Sequence, residues 1–177
     1  MKRILLVAVV SLMLCVPAVS WAGNWYLGGG LDIVSLDEDV DFVDSGGGLL
    51  IDFGYRFTRV TALDITFGSS VHEEDGWDIT YGRFSIGPKF FFTDGKFQPF
   101  FTVGLMGHSM EYDDVNYDIE GSGLFIGFGA DAYLDDSNSI GLEIVGSGWD
   151  AEDNFGIEGD GETSIFRIVY KYHFAQR

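Results

Sequence analysis

The closing stretch Thr163-Ser164-Ile165-Phe166-Arg167-Ile168-Val169-Tyr170-Lys171-Tyr172-His173-Phe174 decides the fold. Successive residues of a strand point to opposite faces, so a period of two separates this stretch into two sets. Phe166, Ile168, Tyr170, Tyr172 and Phe174 share one face, and Ile165, Arg167, Val169, Lys171 and His173 share the other. A soluble sheet would need a helix to cover the aromatic face, and nothing else in the chain reads as such a helix. A closed barrel with an apolar outside and a polar inside accommodates both faces, because closure leaves no unpaired strand edge in lipid.

The same rhythm runs upstream. Strands are expected at Trp25–Ile33, Gly47–Phe57, Thr61–Gly68, Ile79–Phe92, Gln98–Ser109, Ser122–Leu134, Ser139–Gly146 and Thr163–Phe174. Three connections are tight turns: Thr58–Val60, Thr93–Phe97 around Asp94-Gly95, and Asp135–Asn138. The other four, Val34–Gly46, Ser69–Asp78, Met110–Gly121 and Ser147–Glu162, read as long loops. Short and long connections alternate strictly, so the turns gather on one rim and the loops on the other. The predicted fold class is therefore all-β, an eight-stranded antiparallel up-and-down transmembrane β-barrel.

Face assignment checks this register, because a slip of one residue would carry charges onto the lipid side. Outward positions include Leu49, Ile51, Phe53 and Tyr55, then Phe84, Ile86 and Phe90, then Leu124, Ile126 and Phe128, and none is charged. Inward positions hold five acids, Asp32, Asp52, Asp64, Asp131 and Glu143, and five bases, Arg56, Arg83, Lys89, Arg167 and Lys171. An eight-stranded barrel is only wide enough for its own side chains, so these charges are expected to pair and plug the lumen. Inward glycines such as Gly28, Gly54 and Gly127 read as ordinary strand geometry, and Pro88, which lacks a ladder donor, reads as a bulge. Trp25, Tyr55, Phe57, Phe90, Phe92, Tyr172 and Phe174 suit an aromatic girdle at the turn end, and Trp77, Tyr112 and Trp149 suit one at the loop end.

Met1-Lys2-Arg3, an apolar run from Ile4 to Val16 and the small-residue exit Ser20-Trp21-Ala22 have the form of a secretory signal, with cleavage expected after Ala22. Residues 1–22 are thus read as leader and 23–177 as the barrel domain. The apolar run is shorter than the ~20 residues of a spanning helix. Cys15 lies in the leader, so the mature chain has no thiol to form a disulfide. Loss of Lys2 and Arg3 leaves 8 basic against 28 acidic residues, a net charge of −20, which excludes nucleic acid as a natural partner.

Stretches such as Gly47-Gly48-Leu49-Leu50-Ile51-Asp52-Phe53-Gly54-Tyr55-Arg56-Phe57 and Gly127-Phe128-Gly129-Ala130-Asp131-Ala132-Tyr133-Leu134 are similar to the strand-and-turn repeats of small Gram-negative outer-membrane barrels. The whole mature chain resembles those of the OmpA-barrel, OmpX and OmpW kind, and its aromatic last strand resembles their closing strand. The resemblance implies residence in the bacterial outer membrane with loops extracellular and termini periplasmic. It also implies contact with outer-membrane lipid and lipopolysaccharide, and delivery by the barrel-assembly machinery. Oligomeric state is not legible in the sequence. The superfamily includes adhesins, anchors, conduits and lipid-modifying enzymes, so architecture alone does not assign activity.

An enzyme is not expected. Barrels that modify lipid A carry a His and a Ser near the outer rim. Here His108 and Ser109 are strand neighbours on opposite faces, His72 reads as a solvated loop tip, and His173 as a lumen residue. A conduit for a small apolar compound is the second reading, motivated by inward Tyr81, Phe100, Met106, Phe125 and Tyr133 as the lining of a dry pocket in the loop-side half.

The four long connections hold 20 acidic residues and no Lys or Arg, which places the whole net charge on one rim. No tightly bound cofactor is expected. Carboxylates are hard ligands for Ca²⁺ or Mg²⁺, and Asp37, Asp39 and Asp41 have the opening spacing of an EF-hand. Phe42 and Gly48 stand where that loop needs Gly and Glu, so binding there is expected to be weak.

Overall fold

The computed structural model describes residues 24–38, 41–74, 77–112 and 118–174. Among them the chain forms eight strands and no helix: β1 (Asn24–Glu38), β2 (Asp41–Arg56), β3 (Thr61–Glu74), β4 (Trp77–Phe91), β5 (Phe97–Tyr112), β6 (Asp118–Tyr133), β7 (Asn138–Asp153) and β8 (Glu158–His173). Each pairs antiparallel with its sequence neighbours, and β1 pairs with β8 from Tyr26–His173 up to Glu38–Gly161, which closes the barrel. The expected leader, residues 1–22, lies outside the described residues.

The outward set is as the alternation requires. Leu49, Phe128 and Ile144 are 68%, 59% and 63% exposed, with buried Leu50, Gly127 and Glu143 as chain neighbours. A band of this kind is stable only against hydrocarbon. Trp25 stacks on Phe53, Phe90 on Phe101, and Tyr172 meets Phe174 edge-on, all on the outer face of the turn-side half.

Four expectations need correction. The strands do not stop where apolar residues stop. Most of the four predicted loops continue the ladders, as in the pairs Glu74–Trp77, Glu111–Asp118 and Glu152–Glu158, so hairpins stand above the apolar band. Cross-strand hydrogen bonds satisfy the backbone whatever the side chains are, so polarity beyond the membrane does not end a strand. Pro88 forms no bulge: β4 and β5 keep one register from Ile86–Leu105 to Lys89–Thr102, with only the rows between them missing. The irregularity lies instead in β1, between Val34 and Leu36 opposite β2. Trp149 belongs to no girdle, for it is 4% exposed and faces inward; the side chains of Trp77 and Tyr112 lie outside the described residues.

The fourth correction concerns what fills the barrel. In the loop-side half, Val34, Leu36, Ile79, Tyr81, Met106, Met110, Ile119, Phe125, Val145, Trp149 and Ile165 form one buried apolar cluster. Phe100 is absent from it and packs lower down with Tyr26, Ala62 and Phe91, while Tyr133 sits against His173 near the turns. The interior is therefore apolar above and charged below, rather than ionic throughout.

Candidate functional site: the lumen charge network and the acidic rim

The ten inward charges fall into contacts that the alternation places inside but does not itself specify. Arg83 on β4 hydrogen-bonds Asp32 on β1 across the lumen. Its reach depends on small residues in the intervening strands. A Cβ on Gly48 would lie 2.4 Å from the Asp32 carboxylate, and one on Gly68 would lie 2.5 Å from the Arg83 guanidinium. Gly48 and Gly68 therefore clear a path for long polar side chains.

Arg167 stands opposite Asp32 on one side and Glu143 on the other, and its Nη1 is 3.6 Å from Glu143 Oε2. Nearer the turns, Lys171 is shared. Its Nζ lies 2.9 and 3.1 Å from the two Asp131 oxygens and 3.7 Å from Asp52 Oδ2. Lys89 pairs with Asp64, which also accepts the Tyr26 hydroxyl, while Thr66 donates to Asp52 at 3.1 Å. Arg56 alone among the ten lacks an acid partner among the described residues. It donates to Gln98 at 2.6 Å and lies 3.9 Å above the Phe91 ring. Apart from half-buried Arg56, these side chains are almost wholly removed from water, where an ion pair recovers its desolvation cost only if its remaining polar atoms are also satisfied.

The histidines are held inside the barrel. His108 stacks on Trp149 at 4.6 Å, and its Nδ1 meets the Tyr81 hydroxyl. Ser109 faces outward, so the two cannot act together. His72 is not a solvated tip. It is buried, with Nε2 2.9 Å from Ser70 Oγ, because β3 continues past Gly68 and turns it inward. His173 makes the matching contact with Ser139 at 2.9 Å. Both Ser–His pairs are geometrically sound, but Ser70 is 1% exposed and Ser139 is fully buried, so neither offers a hydroxyl to an incoming acyl group.

At the outer rim, acids on facing strands lie directly opposite one another, as in Asp150–Asp160 and the row Glu120–Glu152–Glu158. Asp37 and Asp41 belong to the paired ends of β1 and β2 rather than to a loop, and Asp39 lies outside the described residues. Among the described residues no three acidic, His or Cys side chains converge as a metal site.

A closed eight-stranded barrel with a lipid-compatible exterior and a filled polar and apolar interior defines an integral outer-membrane barrel. The chain belongs to the outer membrane protein beta-barrel domain family, whose model matches residues 4–174. No curated protein matches it in sequence. Its fold is similar to that of the outer membrane protein OprG from Pseudomonas aeruginosa, with 15% identity, a TM-score of 0.67 and coverage of 88% of this chain and 97% of that one. Neisserial surface protein A is similar at 11% identity and TM-score 0.69, covering 85% and 97%. Ail, the attachment invasion locus protein of Yersinia pestis, solved with the heparin analogue sucrose octasulfate, is similar at 15% identity and TM-score 0.62, covering 86% and 99%. At such identities the likeness establishes the fold alone.

Proposed function

We propose that this protein is a non-conducting, non-enzymatic outer-membrane barrel whose acidic hairpins form a surface-interaction rim. What supports this reading is the set of side chains that occupies the lumen: an apolar cluster around Trp149 and Phe125 in the loop-side half, above the charge network around Lys171 and Lys89. Tyr81, Met106 and Phe125, the lining expected of a conduit, are consumed in that cluster. The hairpins face the cell exterior and the termini the periplasm, since short turns lie on one rim and extended hairpins on the other. Residues 1–22 act as the export leader, and the barrel-assembly machinery receives the closing strand.

The rim selects partners by charge. Ail was solved with a polysulfated heparin analogue. A rim whose predicted loop segments contain no Lys or Arg would repel such a polyanion, so that ligand does not transfer to this chain. Contact with lipopolysaccharide phosphates runs instead through weakly held Ca²⁺ or Mg²⁺ between rim carboxylates, with Asp37, Asp39 and Asp41 as the first candidates. Planar-bilayer recording tests the sealed lumen: the expected trace is free of steady current, and a sustained large ion conductance would overturn the proposal.

A further inference from the structure

On the outer face of β6, β7 and β8 lies a groove of about 410 Å³, within the size range of small-ligand sites. Gly148 of β7, which has no side chain, lines it, and Gly146 lies one outward step below, outside the lining. Gly146 and Gly148 alternate with buried Val145, Ser147 and Trp149, so they belong to the outward set, and a Cβ at either would meet nothing within 4 Å. Such glycines weaken a strand without relieving any crowding inside the barrel, and they leave the backbone open to close approach by a ligand. Exposed Leu124 of β6, directly opposite Gly148, forms one wall.

The groove also lies where the outer surface changes character. Going up each strand, the outward residues pass from Ile126 and Leu124 to Ser122 on β6, from Ile144 through the glycines to Asp150 on β7, and from Phe166 through Ser164 to Glu162 and Asp160 on β8. Asp150 stands opposite Asp160, Gly148 opposite Glu162, and all three carboxylates line the groove. Like charges placed directly opposite one another across a ladder are destabilising unless a cation compensates them. None of the three has an ion-pair partner within 4.0 Å among the described residues. The lower part of the groove therefore offers apolar surface at the edge of the bilayer, and the upper part offers concentrated negative charge.

We propose that this groove seats a membrane lipid whose headgroup carries a primary ammonium, its chain along Gly146, Gly148 and Leu124 and its amine between Asp150, Asp160 and Glu162. A lipid, rather than a soluble polyamine, is the occupant because the apolar floor is continuous with the hydrocarbon-facing band. A neutral amphiphile leaves the carboxylates uncompensated, and an anionic one is repelled unless a divalent cation stands between them.

The test uses the protein reconstituted in phosphatidylcholine nanodiscs, with dodecylamine added in steps and the amide signals of Gly146, Gly148 and Trp149 followed by NMR. The amine is protonated at neutral pH. Saturable shifts at these amides are expected, with dodecanol and spermine each at least tenfold weaker. Gly148→Leu fills the groove without a clash and should weaken dodecylamine binding tenfold or more. Gly47→Leu, an equally open outward position on β2, should leave it unchanged. Asp160→Asn with Glu162→Gln should remove the preference for amine over alcohol. Equal binding of spermine, equal binding of dodecanol, or indifference to Gly148→Leu would each overturn the proposal.

Discussion

Lys171→Met is the sharpest perturbation of the lumen. Lys171 Nζ holds Asp131 at 2.9 Å and Asp52 at 3.7 Å, and the three side chains are 2–3% exposed. Removing the ammonium leaves two buried carboxylates, Asp52 and Asp131, with one neutralising partner fewer. Breaking a single buried pair costs about 3–5 kcal/mol, while replacing both partners by apolar groups is often neutral. At about 1.4 kcal/mol per tenfold, that is a loss of roughly two to three-and-a-half orders of magnitude in the folding equilibrium. Because Asp52 keeps its Thr66 hydrogen bond, the lower half of the range is expected for Lys171→Met. Lys171→Met with Asp131→Leu should recover at least half of the loss. Urea unfolding of the barrel in vesicles, with the heat-modified gel shift as a second readout, measures both. A loss below about 1 kcal/mol for the single variant, or no recovery in the double, would refute a network held by charge compensation.

Arg56→Met should cost less than any other lumen base, about 1–2 kcal/mol, since it removes a Gln98 hydrogen bond and a cation–π contact but strands no acid, and the same urea titration ranks it. Trp149→Ala should cost about 3–5 kcal/mol by opening a cavity in the loop-side cluster and should release His108 from its stacked position, visible in the imidazole NMR signals. Gly54→Ala places a Cβ 2.1 Å from the Tyr26 ring and should cost about 1–3 kcal/mol by overpacking, with loss of the Tyr26–Asp64 hydrogen bond. In the β6–β7 turn, the Ser137 amide at 2.8 Å and the Asn138 side chain hold the Asp135 carboxyl below its ordinary value. The turn is therefore favoured above the unfolded pKa and loses that support as pH falls through the folded one, so a carboxyl titrating at or above 3.8 by NMR would contradict the turn geometry. Calorimetry of the refolded barrel should show Ca²⁺ binding in the ~10⁻⁴–10⁻³ M range, reduced when Asp37, Asp39 and Asp41 become Asn, and the absence of any heat would leave the rim without a cation site.

What the sequence makes legible is what the bilayer selects. Lipid rejects charge at every second residue, so Leu49, Ile51 and Phe53, or Ile140, Leu142 and Ile144, declare their face directly. Above the membrane that pressure vanishes, and strand and loop cannot be told apart by hydrophobicity. This is why hydrophobicity ends β7 at Gly146 although its ladder runs to Asp153. Trp149 was still legible by another signal: with Ile140, Leu142 and Ile144 outward, parity alone turns Trp149 inward, whereas composition suggested an interfacial aromatic. The burial of His72 follows from the same parity once β3 is carried beyond Gly68. The partners of the lumen charges were not legible, because they depend on barrel shear and on gaps left by glycine. Lys171 meets Asp52 two strands away over Gly28, which is paired with both.

The most direct measurement uses the cysteine-free mature chain that cleavage after Ala22 would leave. Single substitutions Val145→Cys inside the apolar cluster, Thr102→Cys beside the charge network and Glu158→Cys on the rim would be exposed to a membrane-impermeant maleimide on intact cells. A sealed lumen with outward hairpins predicts rapid labelling of the Glu158→Cys protein and none of the other two until the barrel is unfolded. Labelling at Val145→Cys as fast as at Glu158→Cys would show an open, wet lumen and contradict the sealed barrel.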